Sequence, residues 1–264
     1  MNLDSFPTLR LWRRARILNV QFNRPAVLNA IDQQAHDDLV RCFSEMANDP
    51  DTDAVILSGA GRTFSAGGDF AYMQEMVDHP RVFLNGMHDV KRLVFSLLEC
   101  PKPVIAKLNG HAIGLGATIA LFSDMVFAVP GAKIGDPHVR VGFVAGDGGA
   151  VIWPHLIGHA RAKEYLLTGR PIVAEEAERI GLINRVVAAE QIDEVVDQMA
   201  DELASGPTLA VQWTKISINI ALKQHAQAVL DASVAFEALS NMTRDHAEAV
   251  KALQEKRTPT FTGT

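Results

Sequence analysis

The sequence predicts an α/β fold, a mixed β/α core followed by an all-helical C-terminal module. Short apolar runs such as Ala54-Val55-Ile56-Leu57-Ser58 and Val104-Ile105-Ala106 read as strands buried on both faces. Between them lie segments whose apolar residues recur at helical spacing, the alternation expected of strands joined by helices. From about Ile192 onward only helical spacing remains. Gly206-Pro207 is the clearest break in that region, and the boundary falls near residue 200, giving a core over 1–200 and a helical module over 201–264.

In chain order, residues 16–22 alternate, with Leu18, Val20 and Phe22 on one face, and form a half-buried strand that Asn23-Arg24-Pro25 stops. Asp32 can cap a helix reaching about Asn48, with Leu39, Phe43 and Met46 at helical spacing, and Asp49-Pro50-Asp51 ends it. The strand 54–58 runs into Gly59-Ala60-Gly61 and the loop Phe64-Ser65-Ala66-Gly67-Gly68-Asp69-Phe70. Helical patterns follow around 71–77 and 86–98, the latter with Val90, Leu93, Val94 and Leu97 inward. Short strands are expected at 125–129 and 133–135, and helices at 150–157 and 160–167. A small unit of helix 174–180 and strand 182–187 precedes helices at 192–204, 209–221 and 226–242 and a last one before Leu253.

The centre of this arrangement is the stretch Pro103–Met125. A buried strand passes through Asn109-Gly110-His111-Ala112-Ile113-Gly114-Leu115-Gly116 into a helix over 117–121. Glycines let the backbone approach a ligand, and a helix start carries free N–H groups that favour negative charge. A dinucleotide fingerprint fits poorly. Ile119 stands at the third glycine position, and no acidic residue ends a strand about 20 residues on. The better reading is an oxyanion hole, in which an N–H near Leu115 faces a charge that forms during reaction. Such a hole needs a second donor, and Ser65-Ala66-Gly67-Gly68-Asp69, also following a buried strand, is the natural source.

Composition narrows the possibilities. The 264 residues are 48% hydrophobic, enough for a large core. A net charge of −6 without any lysine or arginine block argues against nucleic acid or an anionic membrane as the main partner. Cys42 and Cys100 are the only cysteines, which excludes a disulfide framework and fits a reducing compartment. The N-terminus lacks a signal-peptide pattern, no apolar run is long enough to span a bilayer, and a cytoplasmic location is expected. His155 and His159 have the spacing of a zinc helix. Leu156 replaces the needed glutamate, and Pro154 and Gly158 disfavour the helix, so no metal site is expected there or elsewhere.

Asn23-Arg24-Pro25 with Leu28-Asn29-Ala30, Phe64 through Asp69, and Asn109 through Gly116 resemble successive signatures of the crotonase (enoyl-CoA hydratase/isomerase) superfamily. Val141-Gly142-Phe143 with Gly148-Gly149, Leu167-Thr168-Gly169, Ala177 with Gly181-Leu182-Ile183, and the tail from Glu255 to Phe261 continue the pattern in order. The resemblance implies a crotonase-type β/α spiral with a helical module that assembles trimers or hexamers. It implies an acyl-CoA thioester as substrate, with coenzyme A part of that substrate and no permanent cofactor. By position, the N–H groups of Ala66 and Leu115 bind the thioester oxygen. Ala26, Leu28, Gly68, Asp69 and Phe70 line the coenzyme path, and Lys256 and Phe261 reach a neighbouring subunit's coenzyme.

The departures from the family pattern shape the functional expectation. Family hydratases use two glutamates; here those positions hold Thr118 and His138. A threonine hydroxyl has no useful pKa near neutrality, and packing is its expected role. Asp147, among Gly146, Gly148 and Gly149, is the better acid–base candidate, and burial beside an acyl chain raises such a carboxyl toward a useful range. It can also cap the following helix. His138 can act as acid, base or carbonyl polariser. His111 is expected to prop the oxyanion turn and Arg140 to lie on the surface. Three functions are therefore expected in order: hydratase or isomerase chemistry on an enoyl-CoA, hydrolysis or retro-Claisen cleavage, and acyl-CoA binding without turnover.

Overall fold

Two sheets form the centre of the fold in the computed structural model, which describes residues Met1–Thr264. The strands β1 (Leu9–Arg14) and β2 (Ile17–Phe22) make an antiparallel hairpin, and α1 (Gln33–Ala47) follows. Asp32 caps α1 by accepting the Ala35 N–H at 2.9 Å. The chain then repeats one motion: a strand in the first sheet, a short strand in the second, then helix. The first round is β3 (Ala54–Gly59), β4 (Thr63–Ser65), α2 (Phe70–Asp78) and α3 (Arg81–Glu99). The second is β5 (Val104–Leu108), β6 (His111–Ile113) and α4 (Leu115–Leu121), and the third is β7 (Met125–Ala128), β8 (Lys133–Gly135) and α5 (Gly149–Thr168). The last runs β9 (Ile172–Val173), α6 (Ala174–Arg179), β10 (Arg185–Val186), before α7 (Ile192–Ser205), α8 (Thr208–Asn241) and α9 (Arg244–Gln254).

The first sheet has the order β1-β2-β3-β5-β7-β10 and is parallel beyond the hairpin. Its two faces bury different side chains, as the period of two requires. Leu18, Val20, Val55 and Leu57 enter the main core, while Ile17, Ile56, Ile105 and Phe127 pack under Ile192, Val196 and Ala200 of α7. The second sheet has the order β4-β6-β8-β9, with β4, β6 and β8 mutually parallel. Because three adjacent strands point the same way, the loops that leave their C-terminal ends emerge side by side. Those loops carry Gly67-Gly68, Gly114-Leu115 and Asp136-Pro137-His138.

Several expectations need correction. The strand β1 and the two- and three-residue strands β4, β6 and β9 have no counterpart in the sequence reading, and α3 begins earlier than the apolar pattern around 86–98 indicates. The strand expected at 182–187 shrinks to Arg185–Val186. The helices expected at 150–157 and 160–167, by contrast, are both present within 149–168, separated by the non-helical Gly158, whose φ is 76°. The helices expected at 209–221 and 226–242 are one helix, α8, of 34 residues. The buried positions Leu222, Ala226, Leu230, Val234 and Ala238 recur at every fourth residue across the supposed gap. The intervening Lys223-Gln224-His225 is simply an outward turn, with Lys223 paired to Glu99 of α3 at 2.8 Å. No helix is long and apolar enough to cross a membrane.

Candidate active site

The first glycine turn is held against the Asn23–Ile31 loop, and that attachment decides which of its N–H groups is free. Asn29 donates from Nδ2 to the carbonyls of Ala60 (2.9 Å) and Thr63 (2.8 Å), and its Oδ1 accepts the Arg24 N–H (2.9 Å). Ile31 and Gly68 form a parallel bridge. Buried backbone donors nearly always find an acceptor, so the turn can be accounted for residue by residue. The Ala66 N–H donates to the Leu28 carbonyl at 3.0 Å, Gly67 to Ser65 Oγ at 3.2 Å, and Asp69 to the Ile31 carbonyl at 3.0 Å. Only Gly68 has no acceptor within the protein. The expectation for Ala66 is therefore corrected: its N–H is engaged, and the free donor of this turn belongs to Gly68.

The second turn lies directly against the first. A Cβ added at Gly114 would sit 3.7 Å from Gly67 Cα and 3.7 Å from His138 Cε1. Gly114 has φ 53° and ψ −128°, a conformation closed to side-chain-bearing residues, and it turns the chain from β6 into α4. Leu115 opens α4, so its N–H has no acceptor inside the helix. Gly68 and Leu115 both line one cavity of about 100 Å³, with Tyr72, Met73, Met76, Phe83 and Val90 as its largely apolar wall. His111, as expected, props the strand: its Nδ1 accepts the Lys133 N–H at 3.0 Å.

Across that cavity lie His138, Asp147 and Glu237. His138 Nδ1 is bonded to Asp136, and Nε2 faces Asp147 Oδ2 at 3.7 Å and Glu237 Oε1 at 4.0 Å. The ring stacks on Phe143, which stacks in turn on the buried His246. Burial alone would lower the His138 pKa, but the charges of Asp136, Asp147 and Glu237 overcome it and lift the imidazolium to about 10. Burial raises the Asp147 carboxyl above its usual range, with the His138 charge opposing. Burial and Asp147 raise Glu237 well above its usual range.

Thr118 does more than pack. Its Oγ1 donates to Asp147 Oδ1 at 3.1 Å, holding the carboxylate in the cavity. The backbone N–H of Gly149 favours the charged form of Asp147, but no side chain caps the start of α5, so the capping role expected of Asp147 is not seen. Arg140 is exposed and donates to the Thr168 carbonyl at 3.0 Å. His155 and His159 are both exposed on either side of the Gly158 kink. The ligand atoms of Asp136, His138 and Asp147 lie within 4.8 Å of one another, the spacing a cation could use, but the direct Asp136–His138 bond already occupies Nδ1.

The residues expected along a coenzyme path divide. Gly68 lines the cavity, whereas Asp69 caps α2 by accepting the Ala71 N–H at 2.9 Å. Ala26 and Phe70 are exposed, Leu28 is half-buried, and its carbonyl fixes the first turn. Lys256 and Phe261 are exposed on a tail that folds back on α9 through Arg257–Glu248 pairing and the Thr262 N–H bond to Asp245. Neither lies on the cavity of its own chain. Sequence reasoning missed Asp136 and Glu237. An acid on an otherwise buried helix face, between Ser233 and Asn241, was the available signal for the latter.

The enoyl-CoA hydratase/isomerase family model matches residues 13–264. The chain is 33% identical over 249 residues to the 1,2-epoxyphenylacetyl-CoA isomerase of Escherichia coli, covering 94% of this chain and 95% of that one. It is 35% identical over 254 residues to the short-chain-enoyl-CoA hydratase of Clostridium acetobutylicum, covering 94% of each. A crystal structure of an enoyl-CoA hydratase/isomerase from Mycobacterium paratuberculosis superposes with a TM-score of 0.90 at 35% identity, over 94% of this chain and 99% of the other.

Proposed function

The chain belongs to the enoyl-CoA hydratase/isomerase family and is an enzyme of the type that acts on CoA thioesters; from that premise we propose that it forms a thioester enolate and moves protons on the acyl carbons with Asp147 and His138. The observation that carries this reading is the meeting, in one cavity, of two free N–H groups with a buried acid–base cluster. Gly68 and Leu115 hold the thioester oxygen as it gains charge, and loss of one such donor typically costs roughly 3–4 kcal/mol of transition-state stabilisation. Asp147 removes or returns the proton, and the His138 imidazolium, steadied by Asp136, keeps the anionic state stable. The apolar wall of Met73, Met76, Phe83 and Val90 takes the acyl group. Turnover of crotonyl-CoA and of 3-enoyl-CoA by the wild type, lost in Asp147→Asn, tests the reading; an Asp147→Asn enzyme with full turnover rejects it.

A second reading, hydrolysis or retro-Claisen cleavage, is favoured by the Asp136–His138 pair, since a carboxylate-backed imidazole is also suited to activating water. Release of a free acid without double-bond hydration identifies that route. For the coenzyme, we propose that Ala26, Leu28 and Phe70 border the path beside Gly68, and that Lys256 and Phe261 serve a neighbouring copy. The exposed Trp213, Ile218, Ile220 and Phe236 on α8 support assembly into a trimer, which light scattering on the purified protein measures.

A further inference from the structure

The proton transfers assigned to Asp147 and His138 leave Glu237 unexplained. It comes from α8, far along the chain from the β8–α5 loop that carries Asp136, His138 and Asp147. Its side chain is 4% exposed, and Oε2 has no hydrogen-bond partner in the protein. A buried carboxyl kept only for packing or architecture normally has donors, because an unsatisfied one is costly. The helix, moreover, is docked to the loop that carries Asp147 by residues on either side of Glu237. Ser233 Oγ donates to the Gly146 carbonyl at 3.0 Å, and the Val144 N–H donates to Ser240 Oγ at 3.1 Å. A Cβ at position 146 would come within 2.7 Å of Glu237 Oε2, so a residue without one allows this approach. The ionisable groups facing Glu237 are Asp147, His138 and Asp136.

We propose that Glu237 is the second proton-transfer group of the site, exchanging protons with Asp147 through Nε2 of His138. This rests on Asp147 acting as the base. In a double-bond migration the Asp147 carboxylate takes a proton from an acyl carbon. That C–H bond breaks, its electron pair moves toward the oxygen held by Gly68 and Leu115, and Asp147 becomes a carboxylic acid. The Glu237 carboxylic acid then gives its proton to a different carbon of the same acyl group. The electron pair returns from the oxygen, the new C–H bond forms, and Glu237 becomes a carboxylate. To reset the site, His138 passes its Nε2 proton to Glu237 and receives the Asp147 proton in its place, so no net proton is gained or lost. Gaps of 3.7 and 4.0 Å to Nε2 close by small side-chain movements of the kind that accompany substrate binding. The protonated state Glu237 needs is the one favoured by its burial beside Asp147. The substrate class is an enoyl-CoA whose double bond moves between adjacent pairs of acyl carbons. The missing glutamate pair is thus rebuilt as Asp147, from another position on the loop that carries His138, and Glu237, from a different helix.

The test compares the wild type with Glu237→Gln, Glu237→Asp and Asp147→Asn in D2O. Proton NMR follows exchange of acyl protons of an enoyl-CoA, and absorbance follows conversion of 3-enoyl-CoA to 2-enoyl-CoA. Glu237→Gln should slow conversion by about 10²–10⁴-fold with little change in KM, while exchange falls far less. Glu237→Asp should recover part of the loss, and the His138 imidazole should titrate lower in Glu237→Gln than in the wild type. Conversion by Glu237→Gln at the wild-type rate, or equal loss of exchange and conversion, overturns the role of Glu237. A wild type that exchanges protons only while Asp147 is intact leaves the base assignment standing in either case. Exchange that survives Asp147→Asn removes the base assignment and the relay with it.

Discussion

Replacing Asp136 by Asn separates charge from geometry at His138. The amide oxygen can still accept from Nδ1, so the ring keeps its orientation while one buried negative charge disappears. In the wild type, burial works against the imidazolium, and the acidic groups around it, Asp136 foremost, hold its pKa at about 10. Removing an opposite charge in close contact typically lowers such a value by roughly 1–3 units, or about 1.4–4 kcal/mol. The His138 midpoint should therefore fall to between roughly 7 and 9. The sign for stability follows from linkage. A group whose folded pKa is raised contributes fully below its unfolded value near 6.5, and that contribution fades as pH rises through about 10. The carboxyls of Asp147 and Glu237, also raised, act in the same direction. Wild-type stability should decline from neutral to alkaline pH, and the advantage over Asp136→Asn should be widest in mild acid and shrink toward pH ~10. Imidazole NMR titration and urea unfolding at several pH values measure both effects. A His138 midpoint that moves by less than roughly half a unit would refute the electrostatic account.

Other substitutions probe the frame around the site. Gly114→Ala forces a side chain onto a φ of 53° and ψ of −128°, which should cost about 1–3 kcal/mol, misaim the Leu115 N–H and lower kcat; unchanged thermal stability and turnover refute it. Asn29→Ala removes three hydrogen bonds and leaves alanine at φ 55°, so urea unfolding should show a loss of about 3 kcal/mol; a loss under about 1 kcal/mol means the loop relaxes freely. Lys215→Met strips Asp124 of its partner at 2.6 Å in a buried setting and should cost roughly 3–5 kcal/mol, with much of it restored by adding Asp124→Asn. A double variant no more stable than Lys215→Met refutes that pairing.

The parts of the fold visible in the sequence were those with enough residues to show a period. The buried runs of β3 and β5 and the Asp32 cap of α1 fall where the sequence places them, as does β2, although β2 is buried on both faces and not half-buried as its alternation suggests. Strands β4, β6 and β9 are too short for any period to emerge, and their pairing comes from neighbours elsewhere in the chain. The two glycine turns were equally visible, because small residues after buried strands are a local signal. Which N–H is free was not local: Leu28 and Ile31 supply the acceptors that take Ala66 and Asp69 out of play. His138 and Asp147 could be found from motif position. Glu237 offers only an acid on an otherwise buried helix face, since its place beside His138 exists only once α8 has crossed the Gly146 loop.

The length and position of α8 have a consequence for how the protein comes into being. A chain leaving the ribosome presents both glycine turns and Asp147 well before residue 237 has been synthesised. The α8 residues Ser233 and Ser240 secure the loop that carries Asp147, so an unfinished chain lacks both that support and Glu237. On the proposed mechanism, a fragment ending near residue 200 should therefore be inert however well its sheets assemble.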